Sequence, residues 1–152
     1  MAPIGSGSAA GLLLAILLGL WPGPTTGPVK APREIALAAN DYAFMPLPAI
    51  EAGPTIFSFV NQGKVNHELA IGRLKPTATV EEYVKASPGA ERVALLDGIV
   101  GILIARPGVH SDGKLLVDLS KGAKYLVWCN FRDKPDAPQH MMLGMYTSFT
   151  PR

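Results

Sequence analysis

Tyr125-Leu126-Val127-Trp128-Cys129-Asn130, followed after a polar loop by His140-Met141-Met142-Leu143-Gly144-Met145, is the stretch on which the fold turns. Its first half reads as a strand, and a period of two places Tyr125, Val127 and Cys129 on one face. The single cysteine of the chain therefore points with apolar neighbours, inward. Ten residues separate Cys129 from His140, and four separate His140 from Met145. Set between the end of one strand and the start of the next, such a loop brings three donors to one point.

A fourth donor lies upstream. In Val65-Asn66-His67-Glu68-Leu69-Ala70-Ile71 the same period puts His67, Leu69 and Ile71 on one face. An imidazole in register with apolar side chains needs a partner, either a backbone carbonyl or a metal. Taken singly, a cysteine is ordinarily inert core, a histidine a satisfied polar group and a methionine filler. Taken together, one thiolate, two imidazoles and a weak thioether form a donor set that selects copper over harder metals and suits electron transfer.

Three motifs carry a resemblance to a known family over about residues 33 to 151. The first is Asp41-Tyr42-Ala43-Phe44-Met45-Pro46 with Ile50-Glu51-Ala52-Gly53-Pro54, and the second is Phe57-Ser58-Phe59-Val60-Asn61-Gln62-Gly63 leading to His67. The third, and most specific, runs from Val117 through Cys129 to His140 and Gly144-Met145. With these the chain resembles the cupredoxins, the plastocyanin and azurin superfamily of small blue-copper proteins.

The resemblance implies an all-β fold, a Greek-key β-sandwich. It also implies one type 1 copper, with His67, Cys129 and His140 as strong ligands and Met145 as the axial one. Met141 and Met142 lie too close to His140 to match the family spacing and are expected to cover the site, although either is an alternative to Met145 in a flexible loop. Two features depart from plastocyanin and azurin: the ligand loop is longer, and Glu68 stands where those proteins carry an asparagine. By the same analogy the edge of His140 is the electron port, within an apolar patch of Met141, Met142, Phe44 and Pro46 where redox partner proteins dock. The loop charges Arg132, Asp133, Lys134 and Asp136 are candidates for orienting such a partner.

Composition fits one small domain, expected over residues 33–152. Of 152 residues, 48% are hydrophobic and 17% charged, enough apolar material for a single core. A formal charge of +2, with no basic run, argues against nucleic acid as a partner. The chain is expected to be a monomer. Residues 1–29 contain no Lys, Arg, Asp or Glu and include the apolar run Gly11 to Trp21. That run suits the hydrophobic region of a secretory signal peptide and is short for a membrane span, with an uncleaved N-terminal anchor as the alternative. Pro, Gly and Thr up to about Pro32 read as a linker. Either reading makes the domain extracytoplasmic, and the periplasm is the expected compartment. A lone exported cysteine is a liability unless occupied, and copper would occupy it. The same count excludes a two-cysteine binuclear copper centre and a zinc site of paired cysteines.

Strands are expected at Arg33–Ala39, Thr55–Asn61, Val65–Gly72, Lys114–Leu119, Lys124–Asn130 and Gly144–Phe149. A short helical insertion interrupts them: Thr79 and Glu82 form a capping-box pair, and Val80, Tyr83 and Val84 share a helical face. The apolar run from Ala90 to Ala105, with Gly98 and Gly101 inside it, fits a short helix or a strand equally well.

His110, in the turn Pro107 to Gly113, is expected to be exposed. After His67 and His140 it is the only histidine left, too few for the second, catalytic copper of an oxidase or nitrite reductase. Nor is there a nucleophile triad, a phosphate-cradling loop or a zinc motif. The leading reading is a non-enzymatic one-electron carrier cycling between Cu(I) and Cu(II). Its alternative is a copper delivery or resistance protein without a redox role, suggested by the methionines around His140. A metal-free structural module is a third.

Overall fold

The computed structural model describes residues 31–152, so the expected leader or anchor and most of its linker lie outside the described residues. Eight strands form two four-stranded sheets. One has the order β2 (Ala43–Phe44), β1 (Arg33–Asn40), β3 (Gly53–Asn61), β6 (Leu115–Leu119). The other has the order β5 (Leu96–Ala105), β4 (His67–Leu74), β7 (Tyr125–Trp128), β8 (Tyr146–Phe149). The chain crosses between the sheets after β3, after β5 and after β6. All neighbouring strands are antiparallel except β1 and β3, which run parallel from Arg33 opposite Thr55 to Ala39 opposite Asn61.

The sandwich core is built by alternation. Along β3, Phe57, Phe59 and Asn61 face inward while their neighbours are half-exposed. From the opposite sheet, Leu69, Ile71, Tyr125, Val127, Cys129 and Met145 meet them. In β4 and β7 the alternation disappears into near-continuous burial. The second faces of these strands are covered as well: Ala70, Leu74, Leu126 and Trp128 pack with Tyr83, Leu96 and Met141 in a second cluster. A central strand buried on both faces loses the polar half of its pattern.

The cover is the insertion. Helix α1 (Val80–Lys85) begins with the expected capping box, Thr79 Oγ1 accepting from Glu82 N–H while the Glu82 carboxylate accepts from Thr79 N–H at 2.8 Å. Its Tyr83 lies against Trp128, ring centroids 5.1 Å apart. The segment with two readings divides: α2 (Ala90–Ala94) is helical and β5 is a strand paired with β4. Gly101 allows Leu115 to close over β5, since a Cβ there would lie 2.5 Å from Leu115 Cδ1. The two-residue β2 has no periodic signal of its own; it forms because the Asp41-Tyr42 turn folds the chain back on β1.

Candidate metal centre

Three of the four predicted donors converge. The donor atoms of His67, Cys129 and His140 lie within 4.8 Å of one another, and all three residues are buried. Nδ1 of His140 is 3.1 Å from Nδ1 of His67 and 3.5 Å from Cys129 Sγ, and His67 Nδ1 is 4.0 Å from the same sulfur. Met145 is fully buried in the cluster that contains Cys129. His110 is exposed and pairs with Val60 at an isolated bridge, as its turn composition suggested.

Local backbone geometry brings the donors together. Before His67, the buried Asn61 side chain donates to Val65 O at 2.7 Å and Ala105 O at 3.0 Å and accepts from Gly63 N–H, shaping the turn into β4. After β7 the long loop folds back on itself. His140 N–H donates to Phe131 O at 2.8 Å, Met141 N–H to Cys129 O at 2.9 Å, and Cys129 N–H to Met145 O at 3.2 Å. A single 3-10 turn, His140–Leu143, ends at Gly144 with φ 105°, a left-handed conformation that glycine adopts freely and that turns Met145 inward.

Around the donors stands a shell of hydrogen bonds. Cys129 Sγ accepts from Glu68 N–H at 3.4 Å and from the Phe131 backbone, while burial pushes the thiol up to about 11. The Glu68 carboxylate accepts from both Asn130 N–H and Asn130 Nδ2, each at 2.9 Å, tying β4 to the start of the ligand loop. Buried Arg92 ties α2 to the end of that loop, donating to Gln139 Oε1 at 2.7 Å and to Ala86 O at 3.0 Å.

Each imidazole meets a carboxylate on its far side. His67 Nε2 is 3.2 Å from Asp41 Oδ1, which also accepts from Lys64 N–H at 2.7 Å. His140 Nε2 is 3.0 Å from Asp133 Oδ1, whose other oxygen accepts from the Tyr42 hydroxyl at 2.5 Å. The Lys64 amide and then His67 hold Asp41 below the ordinary carboxylate range; the Tyr42 hydroxyl and then His140 do the same for Asp133. Burial pulls His67 below the usual imidazole value against the opposing pull of Asp41.

These contacts assign the tautomers and test the fit to a metal. A neutral imidazole has one N–H, and facing a carboxylate that hydrogen belongs on Nε2. Both Nδ1 atoms then aim lone pairs at each other across 3.1 Å, beside a thiol. A cation reconciles three such donors. The set of two imidazoles, a thiol and a buried methionine fits copper, and the carboxylate–histidine pairs are the arrangement that orients ligating imidazoles.

Two expectations need correction. His140 is only 1% exposed, so its edge does not reach the surface. The Tyr42 ring covers it, edge-on with centroids 5.0 Å apart, and Asp133 fills the remaining side. Met141 is fully buried under the insertion, against the outer face of the β5-β4-β7-β8 sheet, and contributes to no surface patch. Met142 is 52% exposed, with its sulfur toward Arg92. The sequence reading passed over Asp41, Tyr42 and Arg92. A strained turn at Tyr42 (φ 62°) is invisible to periodicity, and its partner Asp133 is 91 residues away.

Solved structures of similar fold include three auracyanin structures. Auracyanin B matches with a TM-score of 0.56 at 17% identity, covering 81% of this chain and 91% of its own. Dithionite-reduced auracyanin from Roseiflexus castenholzii gives 0.54 at 18% identity over 81% and 99%. Auracyanin A from Chloroflexus aurantiacus, described as a "blue" copper protein, gives 0.53 at 18% identity over 80% and 100%. No protein-family model and no curated protein matches the sequence.

Proposed function

We propose that this chain, which has the cupredoxin fold of the auracyanins, is an extracytoplasmic one-electron carrier with a mononuclear type 1 copper site. The observation that carries the reading is the convergence of two imidazole lone pairs and one thiol in a buried pocket, with both outer nitrogens tied to carboxylates. His67 and His140 through Nδ1 and Cys129 through Sγ would hold the metal, with the buried Met145 thioether as a fourth, weaker donor. Bound there, copper would supply a centre able to alternate between Cu(I) and Cu(II). The chain holds the donors from several sides: Asp41 and Asp133 fix the ring planes, Glu68 and Arg92 fix the loop, and two backbone N–H groups draw charge from the sulfur. Little has to move when an electron arrives or leaves.

A carrier rather than an enzyme is the reading we favour. Among the described residues this is the one cluster of three or more metal-binding side chains, and His110 stands apart. Delivery or resistance loses its motive, because the methionines diverge: Met141 lies under the insertion, Met142 faces solvent and Met145 is in the core. Export through residues 1–29, a periplasmic location and action as a monomer complete the proposal. Redox partner proteins would dock at the ligand-loop end of the molecule, where Met45, Met142, Leu143 and Tyr146 are exposed.

Adding Cu(II) to the purified chain should give an intense thiolate-to-copper visible band and narrow copper hyperfine splitting in electron paramagnetic resonance. H140A and C129S should each abolish both signatures. M145L should keep the blue colour and shift the potential, since the axial ligand tunes the site rather than making it. A colourless protein that binds only Cu(I) would return the assignment to delivery.

A further inference from the structure

Electron carriers must bring their metal close to a partner, yet the imidazole best placed to do so is enclosed. We propose that Tyr42 is the outer wall of the centre, held over His140 by Asp133, and that this ring rather than the imidazole edge is what a redox partner meets. The proposal rests on the copper reading above.

Three independent features converge on Tyr42. Its φ of 62° makes it the one non-glycine residue with positive φ among the described residues. That conformation is unfavourable for a residue with a Cβ, and glycine or asparagine would adopt it more freely. Large aromatic contacts offset the cost: the ring sits edge-on to His140 at 5.0 Å and 77°, and to His67 at 6.4 Å and 87°. The hydroxyl is anchored as well, at 2.5 Å from Asp133 Oδ2.

Asp133 is the positioning residue. One of its oxygens takes the Nε2 side of His140 and the other takes the Tyr42 hydroxyl, so one carboxylate aligns the ligand and its cover together. Asp41, the residue before Tyr42 in its turn, serves His67 in the same way. Two successive side chains of one turn thus close the outer side of both imidazoles. His67 and His140 are 0% and 1% exposed, whereas Tyr42 is half-buried with part of its surface in solvent. An electron leaving the centre crosses this ring as a bridge and is accepted by the partner; Tyr42 itself is neither oxidised nor reduced.

The test begins with the metal-free full-length chain and diethylpyrocarbonate, with each of the three histidines followed by peptide mass. His110, being exposed, is the internal standard. In the wild type His110 should react at least about tenfold faster than His67 and His140, whose modification needs local opening. In Y42A, His140 should approach the rate of His110 while His67 stays slow, and Y42F, which keeps the ring but loses its anchor to Asp133, should fall between Y42A and the wild type. Y42G removes the ring while relieving the backbone strain, so it separates loss of cover from loss of folding and should match Y42A. With copper bound, a small inorganic oxidant should react faster with Y42G than with the wild type, the blue band being unchanged. Equal reactivity of His140 and His110 in the wild type, or an unchanged His140 rate in Y42G, would overturn the proposal. Absence of a blue band in the wild type would instead remove the copper reading, leaving the modification pattern to decide the cover.

Discussion

At the scale of single residues, the site depends on groups that look unremarkable in sequence. Gly63 is one. A Cβ there would lie 2.2 Å from Asp41 Oδ1 and 3.0 Å from the Asp41 backbone nitrogen, so the carboxylate that orients His67 occupies the space of a missing side chain. G63A must push Asp41 away, and overpacking of this kind costs about 1–3 kcal/mol. The urea midpoint of the metal-free protein should fall accordingly. G113A, with nothing within 4 Å of its added methyl, should stay within about 0.5 kcal/mol of the wild type. The grouping of His67, Cys129 and His140 was legible because their chemistry is rare: one cysteine and three histidines leave few combinations. Asp41 and Asp133 were not, since aspartates in turns are common and only the fold sets each one 3.0–3.2 Å from an imidazole.

Elements explain why the ligand loop holds its shape. The insertion packs on the outer face of the β5-β4-β7-β8 sheet and then reaches the loop through Arg92, whose guanidinium also sits over the Tyr83 ring at 5.9 Å. Replacing Arg92 by Met keeps most of the packing but leaves Gln139 Oε1 and Ala86 O without this donor. Half-buried oxygens stranded in this way cost less than the ~1–3 kcal/mol of fully buried ones. R92M should therefore speed amide hydrogen exchange in residues 139–142 selectively, with the strand core unaffected; uniform acceleration would mean that Arg92 merely supports global stability. Capping and alternation made α1 and six strands readable in sequence. The Ala90–Ala105 run was not resolved because it contains both kinds of element, five residues of helix and, after Leu95, a ten-residue strand. Its glycines mark strand irregularity, with register shifts at Ile71/Gly72 and Arg73/Leu74 of the partner strand.

For the whole molecule, the charge pattern at the site sets how stability responds to acid. His67 is held below the ordinary imidazole value, so beneath about pH 6.5 the unfolded chain binds a proton that the folded chain resists. Asp41, Asp133, Glu82 and Glu91 are held below the ordinary carboxylate range, and their contribution is present above the unfolded values and lost as pH falls through the folded ones. Both effects have the same sign. The melting temperature of the metal-free protein should decline from about pH 6.5 downward and more steeply in the carboxylate range, followed by circular dichroism; a flat profile would contradict the burial of His67. The sandwich itself was foreseeable from short alternating strands with Gly and Pro turns. Its doubly covered central strands were not, since continuous burial reads the same in a sheet core as in a helix. Finally, the lone cysteine sits at 0% exposure with its thiol pushed up to about 11, so the folded chain is chemically silent toward thiol reagents and toward disulfide exchange with its own copies. In an oxidising compartment that silence is a matter of folding: a molecule that opens gains a reactive sulfur, and crosslinked chains become a record of how often the structure was breached.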